Sequence, residues 1–275
     1  MPPRVVALTA AALLGFASNS LLCRLALGQG TIGPATFTLV RLVSGALTLT
    51  VLVGGGPTHA HGNWRSALAL FAYAALFSFS YVRIGAAAGA LLLFAAVQIT
   101  MLGAGLAAGE RLSARRGLGL ALALGGLLAL VAPGLSAPEP LGAALMLAAG
   151  VAWGLYSLRG RQATRPLLET AGNFARSVPL VLLLAILSFE GRPATARGLL
   201  LAAVSGSLAS GVGYSLWYAA LPALGAVRAG IVQLTVPVIT AAGAALFLQE
   251  PVTVRLLLAS VTILGGVGLA LFERR

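Results

Sequence analysis

The side chains in this sequence best equipped for chemistry are amides, hydroxyls and aromatic rings set inside long apolar runs. Tyr73, Phe77, Ser78, Ser80, Gln98 and Thr100 fall in two such runs, and Ser205, Ser207, Ser210, Tyr214, Ser215, Trp217, Gln233 and Thr235 in two later ones. This is the chemistry of recognition: amides and hydroxyls hydrogen-bond, and rings offer contact area. Bond-making inside a membrane would need a nucleophile, a base or a metal set within mutual reach. No span carries a dense group of His, Asp, Glu or Cys. Asp is absent, Cys23 is the single thiol, and Glu110, Glu139, Glu169, Glu190, Glu250 and Glu273 stand at span ends, in loops or at the tail. His59 and His61 have a spacing open to a metal but no acid or thiol nearby in sequence, so a solvated loop is expected, with no metal and no cofactor.

Polar groups are costly against lipid, so they face either a cavity or another helix. Helix-to-helix bonding accounts for most of the serines. For Gln98 and Gln233, which occupy matched Val-Gln contexts followed two residues later by Thr, both readings stand. Pro237 has no N–H and so frees the carbonyl of Gln233; that carbonyl is offered to a ligand or taken by a hydroxyl such as Thr235. Tyr214, Trp217 and Phe77 suit the apolar or aromatic part of a zwitterion, while Trp64 and Tyr218 read as interface anchors. Arg41 and Arg176 lie about 13–15 Å inside their spans and should turn inward, toward backbone carbonyls or a substrate carboxylate.

The elements that must position these groups follow from composition. The chain of 275 residues is 59% hydrophobic and 9% charged with a mean hydropathy of +0.98, against about 25% charged in a soluble domain. A lipid bilayer is therefore the expected surroundings. All 18 basic residues are Arg, and all but Arg41 and Arg176 stand near segment ends rather than on one face with polar readers, which argues against nucleic acid. Ten apolar stretches are long enough to span, near 5–27, 33–53, 64–84, 86–107, 115–133, 141–158, 167–188, 198–220, 225–248 and 254–272. Arg4, Arg65, Arg111, Arg115, Arg116, Arg159, Arg161, Arg165, Arg228, Arg274 and Arg275 then fall on one side of the membrane, and Arg24, Arg83, Arg192, Arg197 and Arg255 on the other. The positive-inside rule puts the first group, and both termini, in the cytoplasm.

An internal repeat is visible in the polar residues. Glu110, Ser113, Arg115 and Gly125-Gly126 recur 140 positions later as Glu250, Thr253, Arg255 and Gly265-Gly266. An offset of 135 pairs Gln98 with Gln233 and Arg41 with Arg176, and an offset of 137 pairs Phe16 with Trp153 and Asn19 with Tyr156. Five spans per half is an odd number, so the halves 1–135 and 136–275 should cross the membrane in opposite senses. The expected fold is an all-α integral membrane protein of ten transmembrane helices in a five-plus-five inverted repeat. The candidate substrate-binding residues are Asn19, Tyr73, Phe77, Gln98, Trp153, Tyr156, Tyr214, Trp217 and Gln233.

Gly-Glu-Arg-Leu-Ser at 109–113, Gln-Glu-Pro-Val-Thr at 249–253, the two Gly-Gly pairs and Trp153-Gly154 resemble the EamA-type branch of the drug/metabolite transporter superfamily. The resemblance spans the chain. It implies a carrier of a small-molecule substrate by alternating access in a bacterial-type cytoplasmic (inner) membrane. Within the branch it points to exporters of amino acids, the aromatic amino-acid (YddG-like) group foremost. The sequence departs from the pattern at Phe16-Ala17, where a Trp-Gly pair is expected, and in the fourth span, which lacks a counterpart of Pro237. An intramembrane lipid-modifying enzyme and a multidrug or cation exporter are the rival readings. Neither the metabolite nor the oligomeric state can be read from the sequence.

Overall fold

The computed structural model describes every residue except 1, 57, 108–112, 133, 135–136, 161–162, 189–193 and 272–275. The described residues form α1 (Pro3–Gly28), α2 (Pro34–Leu52), α3 (Trp64–Tyr81), α4 (Ala86–Ala107), α5 (Ala114–Val131), α6 (Pro140–Gly160), α7 (Pro166–Leu187), α8 (Ala196–Val204), a π-helical segment (Ser205–Val212), α9 (Gly213–Gln233), α10 (Thr235–Phe247) and α11 (Val254–Leu271). There is no strand among them. Six stretches are long and apolar enough to cross a bilayer: α1, α2, α4, α6, α7 and the run Ala196–Ala220. Shorter apolar helices cover Gly117–Leu130, Thr235–Phe247 and Val254–Leu269.

Local chemistry sets the helix ends. Proline stands in the first turn of α1, α2 and α7, where no intrahelical N–H is lost. Asn63 caps α3 through the Ser66 N–H at 2.8 Å, Thr195 caps α8 through Gly198, and Glu139 accepts from Gly142 at 2.6 Å at the start of α6. The chain turns after α2 at Gly54-Gly55-Gly56, with φ of +86° and +73° at the first two, a backbone that favours glycine.

The eighth and ninth expected stretches part at a different place from the one the sequence suggests. Helical backbone runs on through Pro222 and Gly225 to Gln233, and the break comes at Leu234. Ala219, Ala220, Ala223 and Ala226 are strong helix formers. Starting α10 at Thr235 puts Pro237 in a first turn, where its missing N–H costs nothing.

Polarity runs opposite to that of a soluble protein. Leu47, Val51, Leu128, Ile186, Leu187, Leu246, Phe247, Val254 and Val261 point outward, each at least 64% exposed, while Asn19, Thr38, Arg41, Ser78, Ser205 and Ser210 are buried. Hydrocarbon is the solvent that favours this arrangement. Inside, α2 packs on α7, α5 on α11, and both α3 and α4 on α6. Helix α1 meets α8, the π segment, α9 and α10, and α10 also packs on α4. The Gly-Gly pairs serve the α5–α11 contact through their second members: a Cβ on Gly266 would lie 2.6 Å from the Gly119 carbonyl, and one on Gly126 2.9 Å from Ile263. Nothing lies within 4 Å of a Cβ at Gly125 or Gly265.

Candidate functional site

Helical spacing collects the aromatic and amide side chains at one point. Phe16, Asn19 and Ser20 share a face of α1, and Tyr73 and Phe77 a face of α3. Trp153 of α6, Ser210 of the π segment and Tyr214 of α9 close the ring, with Leu93, Phe94, Ala209 and Gln233 completing the lining. The free volume between them is only about 20 Å³, room for about one water. Nothing larger fits between these walls as they stand.

The rings form a continuous set. Trp153 stacks on Tyr214 at 5.3 Å and 22°, and sits 4.8 Å from Tyr73, centroid to centroid. Tyr73 lies 5.4 Å from Phe77, and Phe16 lies 5.8 Å from Tyr214 and meets Trp217 edge-on at 5.7 Å. Such offset and edge geometries are favourable beyond area burial.

Polar side chains thread between the rings. Asn19 Nδ2 donates to Tyr73 Oη at 3.3 Å, and Asn19 Oδ1 accepts from Ser205 Oγ at 2.6 Å. Arg41 of α2 lies directly behind this wall. Its Nη2 donates to Tyr73 Oη at 3.0 Å and its Nε to Ser210 Oγ at 3.4 Å, and its guanidinium faces the rings of Tyr73 and Phe77 at 5.2 and 5.0 Å. Gly206 makes this approach possible, because a Cβ there would strike the Arg41 carbonyl and Ser44 Oγ.

Of the nine candidate residues, Asn19, Tyr73, Phe77, Trp153, Tyr214 and Gln233 line this cavity. Trp217 stands one layer back behind Phe16. Tyr156 touches Trp153 at 5.5 Å but lines a second pocket with Asn63, Arg159, Glu169, Thr170 and Tyr218, and its hydroxyl lies 3.4 Å from Thr170 Oγ1. Gln98 is buried away from both, its Nε2 without a partner. Phe16, Ser20 and Ser210 were absent from the candidate set. The first two stand three residues before and one after Asn19, so the α1 face through Asn19 was the signal for them.

The other expectations resolve individually. Ser78, Ser207 and Ser215 bond carbonyls of their own helices, and Ser80 bonds Gly142 O on α6, as helix-bonding serines should. Thr235 Oγ1 takes the carbonyl of Val232 at 2.7 Å at the α9–α10 break. Arg41 and Arg176 both turn inward, but only Arg176 reaches backbone carbonyls, those of His61 and Gly172. Glu250 makes an ion pair, with Arg24 at 3.1 Å, and accepts the Ala86 N–H at 2.7 Å. Glu110 lies outside the described residues. Trp64 is 58% exposed at the start of α3.

An all-helical bundle with a lipid-exposed apolar exterior and a polar, ring-walled centre has the make-up of a membrane carrier. Residues 140–272 match the EamA-like transporter family. The chain is 52% identical to the uncharacterized protein PA1977 of Pseudomonas aeruginosa, the match covering 98% of this chain and 96% of that one. A solved structure described only as "Crystal structure of protein" shares the fold at a TM-score of 0.70 and 20% identity, over 98% of each chain. The chain belongs to the EamA-like transporter family of the drug/metabolite transporter superfamily. It is a multi-pass membrane protein of a small-molecule transporter family.

Proposed function

We propose that this protein exports small zwitterionic metabolites, aromatic amino acids foremost, across the cytoplasmic membrane by alternating access. Two inverted five-helix repeats, 1–135 and 136–275, would rock about the central cavity, with both termini in the cytoplasm. The observation that carries the reading is the cavity itself: rings and amides from α1, α3 and α4 face rings and hydroxyls from α6, the π segment and α9, one set from each half. Carriers built on repeats bind at such a junction. Helix pairing supports the two-unit reading, since α2 meets α7 and α5 meets α11, while α6 takes α3 and α4 as α1 takes α8 and α10.

Asn19, Tyr73, Phe77, Trp153, Tyr214 and Gln233 are the residues proposed to touch substrate. Gln98, Tyr156 and Trp217 would act in states where the walls have parted. The driving force is the substrate's own gradient. Glu139, Glu169 and Glu250 all stand at helix ends, and no acid of the sequence falls deeper in an expected span than Glu169, the third residue of 167–188, whereas proton-driven export of lipophilic cations generally uses a carboxylate at membrane depth. Counterflow in liposomes tests the reading. Vesicles preloaded with unlabelled phenylalanine should accumulate labelled phenylalanine transiently and return it unmodified. Accumulation no greater than in empty liposomes across a panel of amino acids would contradict it.

A further inference from the structure

Arg41 is a buried cation, 2% exposed, with no acid beside it among the described residues. Among the described residues, Glu139 serves the first turn of α6 and Arg83, Glu250 serves Arg24 and Ala86, and Glu169 lines the second pocket. Removing a guanidinium from water is costly unless it is paired and hydrogen-bonded. Its partners here, Tyr73 and Ser210, are neutral, and Nη1 has no partner at all.

The hydroxyls define what is missing. Tyr73 Oη accepts from Arg41 Nη2 and from Asn19 Nδ2, which occupies both of its lone pairs and leaves its O–H able only to donate. No acceptor faces that O–H among the described residues. Ser210 Oγ accepts from Arg41 Nε, and its own proton likewise has no acceptor there. Both residues line the cavity. Two donor hydroxyls, each polarised by the same guanidinium, open onto a cavity where, among the described residues, neither donates to a partner and no carboxylate stands in the lining.

We propose that Arg41, Tyr73 and Ser210 form an anion subsite that takes the carboxylate of a small organic acid. A carboxylate only accepts, and its two oxygens match two O–H donors. Arg41 supplies the charge from one layer behind. The apolar body of the ligand lies against Trp153, Phe16 and Tyr214, and a positively charged ligand is rejected by the uncompensated guanidinium. Because no acid among the described residues balances Arg41, a compound that carries the carboxylate alone binds as well as a zwitterion. This rests on the cavity being the substrate site proposed above.

The test uses purified full-length protein in lipid nanodiscs, with binding read from tryptophan fluorescence and thermal shift. Three probes share one ring and chain length: 3-phenylpropanoate, 3-phenylpropanamide and 3-phenylpropylammonium. The propanoate should bind about tenfold more tightly than the amide, as expected of a charge-assisted contact, and the ammonium most weakly. Combining Tyr73→Phe with Ser210→Ala keeps ring and helix but removes both donors, and should weaken propanoate binding more than amide binding, so that the preference for propanoate falls from about tenfold to about twofold. Arg41→Lys is the harsher variant, and the hydroxyl pair keeps the test intact should it not fold. Equal affinity for the three probes, no binding of any, or an undiminished preference in the double variant would overturn the proposal. Flux of zwitterions without carboxylate preference would end this inference and leave the exporter reading standing. Carboxylate preference without flux would do the reverse.

Discussion

Arg24 of α1 and Glu250, 226 positions apart, form an ion pair at 3.1 Å that gathers three segments at one end of the bundle. Arg24 also donates to the Tyr81 carbonyl at the end of α3, and Glu250 accepts the Ala86 N–H in the first turn of α4. A carboxylate at a helix N-terminus is favoured electrostatically. This cluster ties α1, the α3–α4 turn and the end of α10 together.

Breaking that cluster should loosen this end of the cavity. Glu250→Gln removes a charge-assisted contact that contributes about 1.5–3 kcal/mol. Cys23, buried beside Arg24 and the only thiol in the chain, reports the change. Maleimide labelling of Cys23 in native membranes should be negligible in the unaltered protein and several-fold faster in Glu250→Gln. Equal rates would show that the cluster does not restrain this end.

Gly206 is the point where the π segment meets α2. Gly206→Ala forces a Cβ onto the Arg41 carbonyl, a backbone atom that cannot rotate away, and overpacking of this kind costs about 1–3 kcal/mol. Thermal unfolding in detergent should show a clear loss for Gly206→Ala and none for Gly125→Ala, where nothing lies within 4 Å. Equal stability of the two variants would contradict the packing described.

Trp153 stacks on Tyr214 and contacts Tyr73. Trp153→Leu should weaken aromatic substrates more than aliphatic ones, by about two- to twelvefold for a lost ring contact of roughly 0.5–1.5 kcal/mol. Competition against labelled phenylalanine, with leucine as the aliphatic comparison, measures this. A uniform loss across both would assign Trp153 to packing alone.

Much of this was legible in the sequence for physical reasons. Apolar runs of the right length could only be helices in lipid, and intramembrane polar groups had to turn inward, as Arg41, Asn19 and Ser205 do. The π segment was not legible: Ser-Gly-Ser-Leu-Ala-Ser-Gly at 205–211 is made of small residues whose pattern does not separate one helical pitch from another. The partner of Glu250 was not legible either. Arg255 is the nearest cation in sequence, but Glu250 stands in the loop after α10 while Arg255 is in the first turn of α11, and Arg255 donates to the Ala132 carbonyl. The repeat pairing of Arg41 with Arg176 suggested one role for both. The loop carbonyl of His61 lies within reach of Arg176, whereas α3 and the π segment offer Arg41 hydroxyls and rings.

In the function proposed, the substrate moves down its own gradient through the ring-walled cavity, without a proton partner. Phenylalanine efflux from loaded proteoliposomes, measured with and without an imposed pH gradient, tests this most directly. The expected result is downhill efflux at a rate set by the phenylalanine gradient, unchanged by the pH gradient and by Glu110→Gln, and strongly reduced by Trp153→Ala. Uphill accumulation driven by protons, abolished by Glu110→Gln or Glu250→Gln, would contradict it.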